Sequence, residues 1–197
     1  MNFSKGYIVP QKDEIKEGYE IKDKEVTANI SCEKIEDLIL GFIDGLTEPC
    51  FFILELPATQ QQEMELRKND FARFHDNVFY IDGQRREVLI KIMKDYGELL
   101  INDGMCKFGF ASHISHDEIF IGKYNVVKIY SSNKIMVENL FKKHNIPLTE
   151  NLKTAWDTFS ENSPGDCIAI EIDGLTSYDL VDKLKVLGLY LAEVREI

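Results

Sequence analysis

Four residues of ligand type crowd the window "SHISHDE" (112–118): His113, His116, Asp117 and Glu118. The chain has four histidines, so half of them stand here. Imidazole and carboxylate donors build zinc sites when they converge on one point, about 2.0–2.2 Å from each donor atom. A histidine beside a carboxylate is also the arrangement of a general acid or base. Two histidines three residues apart share a face on a helix. The flanks here read as strands instead, Phe108–Phe110 before and Ile119–Ile121 after. On an extended strand, positions 113 and 116 point to opposite sides. The window therefore reads as a hairpin tip, whose polar residues suit a turn. Only a curled loop would bring both imidazoles inward. A metal-dependent or acid/base centre on 113–118 stands as an alternative to that reading.

The other chemistry-bearing residues point away from catalysis. His75, in "ARFHDN", is expected in a loop beside two aromatics. His144, in "FKKHN", is expected at a helix C-terminus, where a partly cationic imidazole suits the negative end of the macrodipole. Cys32, Cys50, Cys106 and Cys167 are widely spaced among apolar residues, with no C-x-x-C pair. They read as buried free thiols rather than a disulfide framework or a zinc site. No phosphate-cradling glycine loop, nucleophile elbow or H-E-x-x-H occurs. No catalytic residue and no cofactor is assigned.

The elements that would position these residues follow from periodicity. Residues 11–25 are mostly charged and read as an exposed loop or edge. Val26, Ala28 and Ile30 alternate as in a half-buried strand. Ser31 can cap a helix whose stripe is Cys32, Ile35, Leu38, Ile39, Phe42 and Ile43, closed by Gly45. "CFFILEL" (50–56) is apolar on both sides, a central strand stopped by Pro57. Thr59 and Gln62 form a capping box for a short exposed helix. "NVFYI" (77–81) is a strand, after which Asp82 is expected to cap a long helix over about 84–103, closed by Gly104. Strands are expected at 105–110, 118–122 and 124–130. A helix capped by Ser131 or Ser132 then runs to Asn145 and Pro147. A helical turn follows, with Leu152, Trp156 and Phe159 inward. "CIAIEI" (167–172), a helix capped by Thr176 or Ser177, and "LYLAEV" (189–194) form a C-terminal β-α-β unit. The expected fold is α+β, with a mixed or largely antiparallel sheet covered by helices, in one domain over 1–197.

Charge bounds the partners. Twenty-three basic against 34 acidic residues leave a net charge of −11. A nucleic-acid binder neutralises phosphates with clustered cations, so that class is excluded, as is docking on anionic lipid. A partner, if there is one, is basic. No run reaches the ~18–20 apolar residues of a membrane span, and no signal-peptide apolar region opens the chain. The expected location is the cytoplasm. The single tryptophan, Trp156, is a core anchor on one reading and an interface hot spot on the other. Glu150, Asp157, Glu161 and Asp166 lie around it in sequence. With Asp117 and Glu118 they would offer an acidic face. Asp117, Glu118, Trp156, Asp157 and Glu161 are the partner-binding candidates.

"FGFASHISHDEIFIGKYNVVKIY", "TAWDTFSENSPGDCIAIEIDG" and "LGLYLAEVREI" together resemble small uncharacterised proteins of bacteria, Firmicutes especially. These are acidic α+β proteins of the immunity type found in polymorphic toxin systems. The resemblance covers residues 105–197 and carries no catalytic motif. It implies a cytosolic binder without chemistry of its own, neutralising a basic toxin domain. A metal-dependent or acid/base enzyme on the 113–118 loop, and a regulatory domain binding a small molecule, are the alternatives.

Overall fold

The computed structural model describes residues 1–69 and 71–197. Ten strands and five α-helices alternate along it. The strands are β1 (Tyr7–Ile8), β2 (Gly18–Lys22), β3 (Glu25–Asn29), β4 (Cys50–Pro57), β5 (His75–Gln84), β6 (Lys107–Ser112), β7 (Glu118–Ile121), β8 (Val126–Tyr130), β9 (Asp166–Cys167) and β10 (Tyr190–Glu196). The helices are α1 (Cys32–Asp44), α2 (Gln60–Leu66), α3 (Arg86–Asn102), α4 (Lys134–Lys143) and α5 (Ser177–Leu184). Eight strands form one sheet in the order β10-β5-β4-β6-β7-β8-β3-β2, and β1 pairs with β9. Every one of these ladders is antiparallel. The fold is α+β.

Side chains alternate across a strand, so each strand gives one set of residues to each face. One set, including Phe52, Leu54, Phe108, Phe110, Ile119 and Val127, joins the main core. The stripes of α1, α3, α4 and α5 join the same cluster, through Leu38, Phe42, Ile92, Phe141 and Leu180 among others. The alternate set, which includes Ile53, Val78 and Ala111, is absent from that cluster. The helices thus cover one face of the sheet and leave the other without a helical layer.

Local chemistry differs from expectation at several element ends. Asp82 does not cap the third helix. It remains inside β5, and α3 starts four residues later behind Arg85, which makes no side-chain cap. Asn133, not Ser131 or Ser132, caps α4, its Oδ1 accepting from the Met136 amide at 3.1 Å. Gly45 does end α1, but in right-handed geometry (φ −86°) rather than the left-handed C′ conformation. Residues 168–172 are not a strand. Only Asp166–Cys167 pairs, and with β1, so the two strands of the C-terminal β-α-β order lie in different sheets. Next to that pair, Ile168 bonds to both Gly6 and Gly104, whose backbones lie close together: a Cβ on Gly104 would meet Gly6 O at 2.1 Å. At the end of α4, the His144 imidazole is pushed below its ordinary value, by burial first and by Lys143 second. Its Nε2 is buried and makes no hydrogen bond among the described residues, so this environment works against the partly cationic imidazole expected there. Among the described residues, no helix is long and apolar enough to cross a membrane.

Gly109 sits in central strand β6, where a Cβ would meet Phe120 Cδ2 at 2.7 Å and Ile119 O at 2.8 Å. The missing side chain is what lets the Phe120 ring lie across the neighbouring strand. Gly109→Val should therefore destabilise the protein by about 1–3 kcal/mol through overpacking, despite the better strand propensity of valine. Urea unfolding of the variant checks this.

Candidate functional site

The uncovered face is built by cross-strand register. One row runs Tyr190, Tyr80, Ile53, Gly109, Phe120, Lys128 from β10 to β8. The row beside it holds Phe51, Ala111, Glu118 and Tyr130. On the other side lie Glu193, Val78, Glu55 and Lys107, then Arg195 and Asp76. The segment after α4 closes the β2–β3 end of the sheet. Thr149 N donates to Tyr19 O at 2.8 Å, Leu152 N to Glu20 Oε2 at 2.9 Å, and Asn29 Nδ2 to Lys153 O at 2.8 Å. Trp156 follows on that segment.

An ionic lattice lies across the middle of the face. Lys107 Nζ is 2.7 Å from Glu55 Oε2 and 2.6 Å from Asp76 Oδ2. Arg195 reaches Glu55 Oε1 at 3.0 Å and Glu193 Oε2 at 2.9 Å. Glu55 and Asp76 are buried, so each carboxylate needs its cation. Burial pulls the Lys107 ammonium down, but the hydrogen bonds to Asp76 and Glu55 outweigh it and hold the group above its ordinary range. Sequence reasoning missed this lattice. The signal available was Glu55 itself, a lone carboxylate in the apolar run "CFFILEL". Lys107→Met would leave the buried Asp76 without a cation and Glu55 with Arg195 alone, and should cost about 3–5 kcal/mol in urea unfolding at neutral pH.

Glu118 is the contrasting case. It lies half-buried on the same face, between Ala111 and Tyr130. Among the described residues, no ion pair or side-chain hydrogen bond reaches its carboxylate. Burial raises its carboxyl above the ordinary 4.5, and the charge on Glu55 raises it further. A folded-state value above the unfolded one means that the native state holds the proton more tightly. Ionisation therefore penalises the native state in full at neutral pH, and the penalty fades as pH falls through the raised value toward 4.5. Glu118→Gln should accordingly raise the urea midpoint at pH 7, with the gain gone near pH 4.

The "SHISHDE" window is the tip of the β6–β7 hairpin, as its flanks predict. Ser112 N donates to Asp117 O at 3.0 Å and His116 N to Ser112 O at 3.2 Å, with His116 in left-handed conformation (φ 57°). The candidate donors have separate fates. His113 Nε2 lies 3.2 Å from Asp82 Oδ1, and its ring meets Phe51 tilted, with centroids 4.5 Å apart. Asp82 also accepts a hydrogen bond from the Tyr190 hydroxyl. Asp117 is buried, accepting from Ser131 Oγ at 2.6 Å, so it is not the exposed partner contact expected of it. His116 is exposed. Among the described residues, no three His, Cys, Asp or Glu side chains gather as a metal cluster. The histidine–carboxylate pair of this tip is His113 with Asp82, not with Asp117.

The Trp156 region also departs from expectation. The segment is a single 3-10 turn, Ala155–Thr158, and its buried residues are Ala155 and Thr158. Trp156 is 53% exposed rather than inward. It meets Tyr124 edge-on at 4.8 Å and Phe159 at 5.4 Å. Asp157 accepts from Thr154 N at 2.7 Å and Thr154 Oγ1 at 2.9 Å, which lowers its carboxyl and fixes the turn. Its role here is capping. Glu150, Glu161 and Asp166 are exposed.

His75, expected in a loop, is buried in β5. Its amide donates to Glu63 Oε1 at 2.6 Å, and its Nδ1 lies 3.0 Å from Glu63 Oε2. A concavity of about 630 Å³ lies beside Glu63, walled by Met64, Phe74, Met105 and Tyr178. The Glu63 carboxylate on its wall is engaged by the His75 amide and imidazole. The chain matches no family model, no curated protein and no solved structure.

Proposed function

We propose that the chain is a non-enzymatic, cytoplasmic interaction protein that receives a basic protein on the open face of its sheet. On this reading it acts as an immunity protein does toward a basic toxin domain. The observation that carries the proposal is Glu118, a half-buried carboxylate without a cation beside the balanced lattice of Glu55, Asp76, Lys107 and Arg195. An arriving lysine or arginine would supply the missing charge in a site already partly stripped of water, where such a pair is strongest. Farther across the same face, Phe51, Tyr80 and Tyr190 touch one another in a row and offer the rigid aromatic area that concentrates binding energy in protein interfaces. The chain's net charge of −11 favours encounter with a basic surface.

The test is a low-salt pull-down with the product of the adjacent upstream gene, followed by calorimetry. Glu118→Lys, which places a cation where one is to be received, should abolish the complex. Glu150→Lys changes net charge equally at an exposed site off this face and should leave affinity within about threefold of wild type, reporting the general charge effect alone. Absence of binding by the neighbouring gene product, or equal loss in both variants, sinks the proposal.

A further inference from the structure

Tyr124 and Asn125 stand side by side in left-handed conformation, φ 60° and 58°. Few non-glycine residues occupy that region, and consecutive ones are held there by their surroundings. Asn125 is buried, its Oδ1 accepting from Ser4 N at 3.1 Å and its Nδ2 donating to Ile30 O at 3.0 Å. The conformation aims the Tyr124 ring into an array with Tyr7 at 5.0 Å, Trp156 at 4.8 Å and Phe159 at 4.8 Å. Phe159 in turn lies over Gly165, where a Cβ would meet the ring at 2.2 Å. Trp156 is thus fixed from behind while half of its surface stays exposed.

In front of it opens a concavity of about 330 Å³. Trp156, Phe120, Val126 and Ile197 give it apolar walls, and Lys107, Lys123 and Lys128 stand around it. The three cations are not equivalent. Lys107 is held by Glu55 and by Asp76, which also borders the space. Lys128 is held by Glu25 at 2.8 Å. Lys123 has no carboxylate partner among the described residues. An aromatic wall fixed in advance, a space at the small end of ligand sites (about 300–1,000 Å³) and one uncommitted cation on the rim define a complementary molecule.

We infer that this concavity binds a small apolar carboxylate, with its ring or alkyl body against Trp156 and Phe120 and its carboxylate on Lys123. The site is centred on Trp156 and Lys123 and borders the part of the face that holds Glu118, sharing Lys107 and Asp76 with the lattice, but the inference does not depend on the partner proposed above. Apolar contact supplies the affinity and the charge-assisted hydrogen bond supplies the selection for an acid.

Trp156 is the only tryptophan in the chain, so its emission reports this site alone. The full chain is titrated with phenylacetate and with octanoate, following fluorescence and, in parallel, heat. Saturable binding of at least one acid is expected, with phenylacetamide about tenfold weaker than phenylacetate if the aryl acid binds. Lys123→Gln should weaken the acid by a similar factor of about ten, and Phe120→Ala by at least as much, with unchanged circular dichroism. Lys123→Gln keeps a polar side chain of similar reach at a half-buried rim position, so it decides the matter if Phe120→Ala perturbs folding. No saturable response to either acid, or wild-type affinity in Lys123→Gln, overturns the inference.

Discussion

The structure depends on burying one side of one sheet. Phe52, Leu54, Phe108 and Phe110 on the neighbouring strands β4 and β6 share one core with the stripes of α1 and α3, α3 lying against both strands, and this core sets the orientation of the strands around it. Period-two geometry then obliges every neighbouring residue to face the other way. Glu55, Lys107, Glu118 and Phe120 are placed by that obligation. Each is adjacent in sequence to a residue that the core demands. The surface is the obverse of the core, and shifting one strand by a single position would exchange the two.

What made the elements legible was this same rule. Ile35, Leu38, Ile39, Phe42 and Ile43 at helical spacing give α1, and all five are buried. The capping box of Thr59 and Gln62 forms as its residue types require. The hairpin tip at 113–117 follows from the alternation on both sides of it. Element ends were less legible because competing partners lie far away in sequence. Asp82 has the chemistry of a cap, yet His113 and Tyr190 claim its two oxygens. Ser131 also has it, yet its hydroxyl donates to Asp117. The run 167–172 has strand composition, but a strand needs an edge to pair with, and only its first residue, with Asp166, meets β1.

The site was less legible still, for a related reason. A sequence lists ligand-type residues by proximity along the chain, as in "SHISHDE". The groups that lie together here come from β4, β5, β6, β7 and β10. Lys107 and Asp76 are 31 positions apart, Arg195 and Glu55 are 140. Of the residues singled out beforehand, Glu118 and Trp156 reach the open face, whereas Asp117 and Asp157 are committed to holding turns. Whether a carboxylate is free depends on its neighbours across the sheet, and those are fixed only once the register is known.

The two borders of the sheet are unlike. β2 is closed along its outer side by the stretch after α4, which bonds to Tyr19 through Pro147 and Thr149. Among the described residues, β10 has no strand beyond it, and it is exposed along its whole length. A register shift between Leu191 and Glu193 and the charges of Glu193, Arg195 and Glu196 blunt that border. Among the described residues, the eight-stranded sheet thus offers backbone groups for a further strand at β10 alone, and the charges there make that border a poor template for another apolar strand.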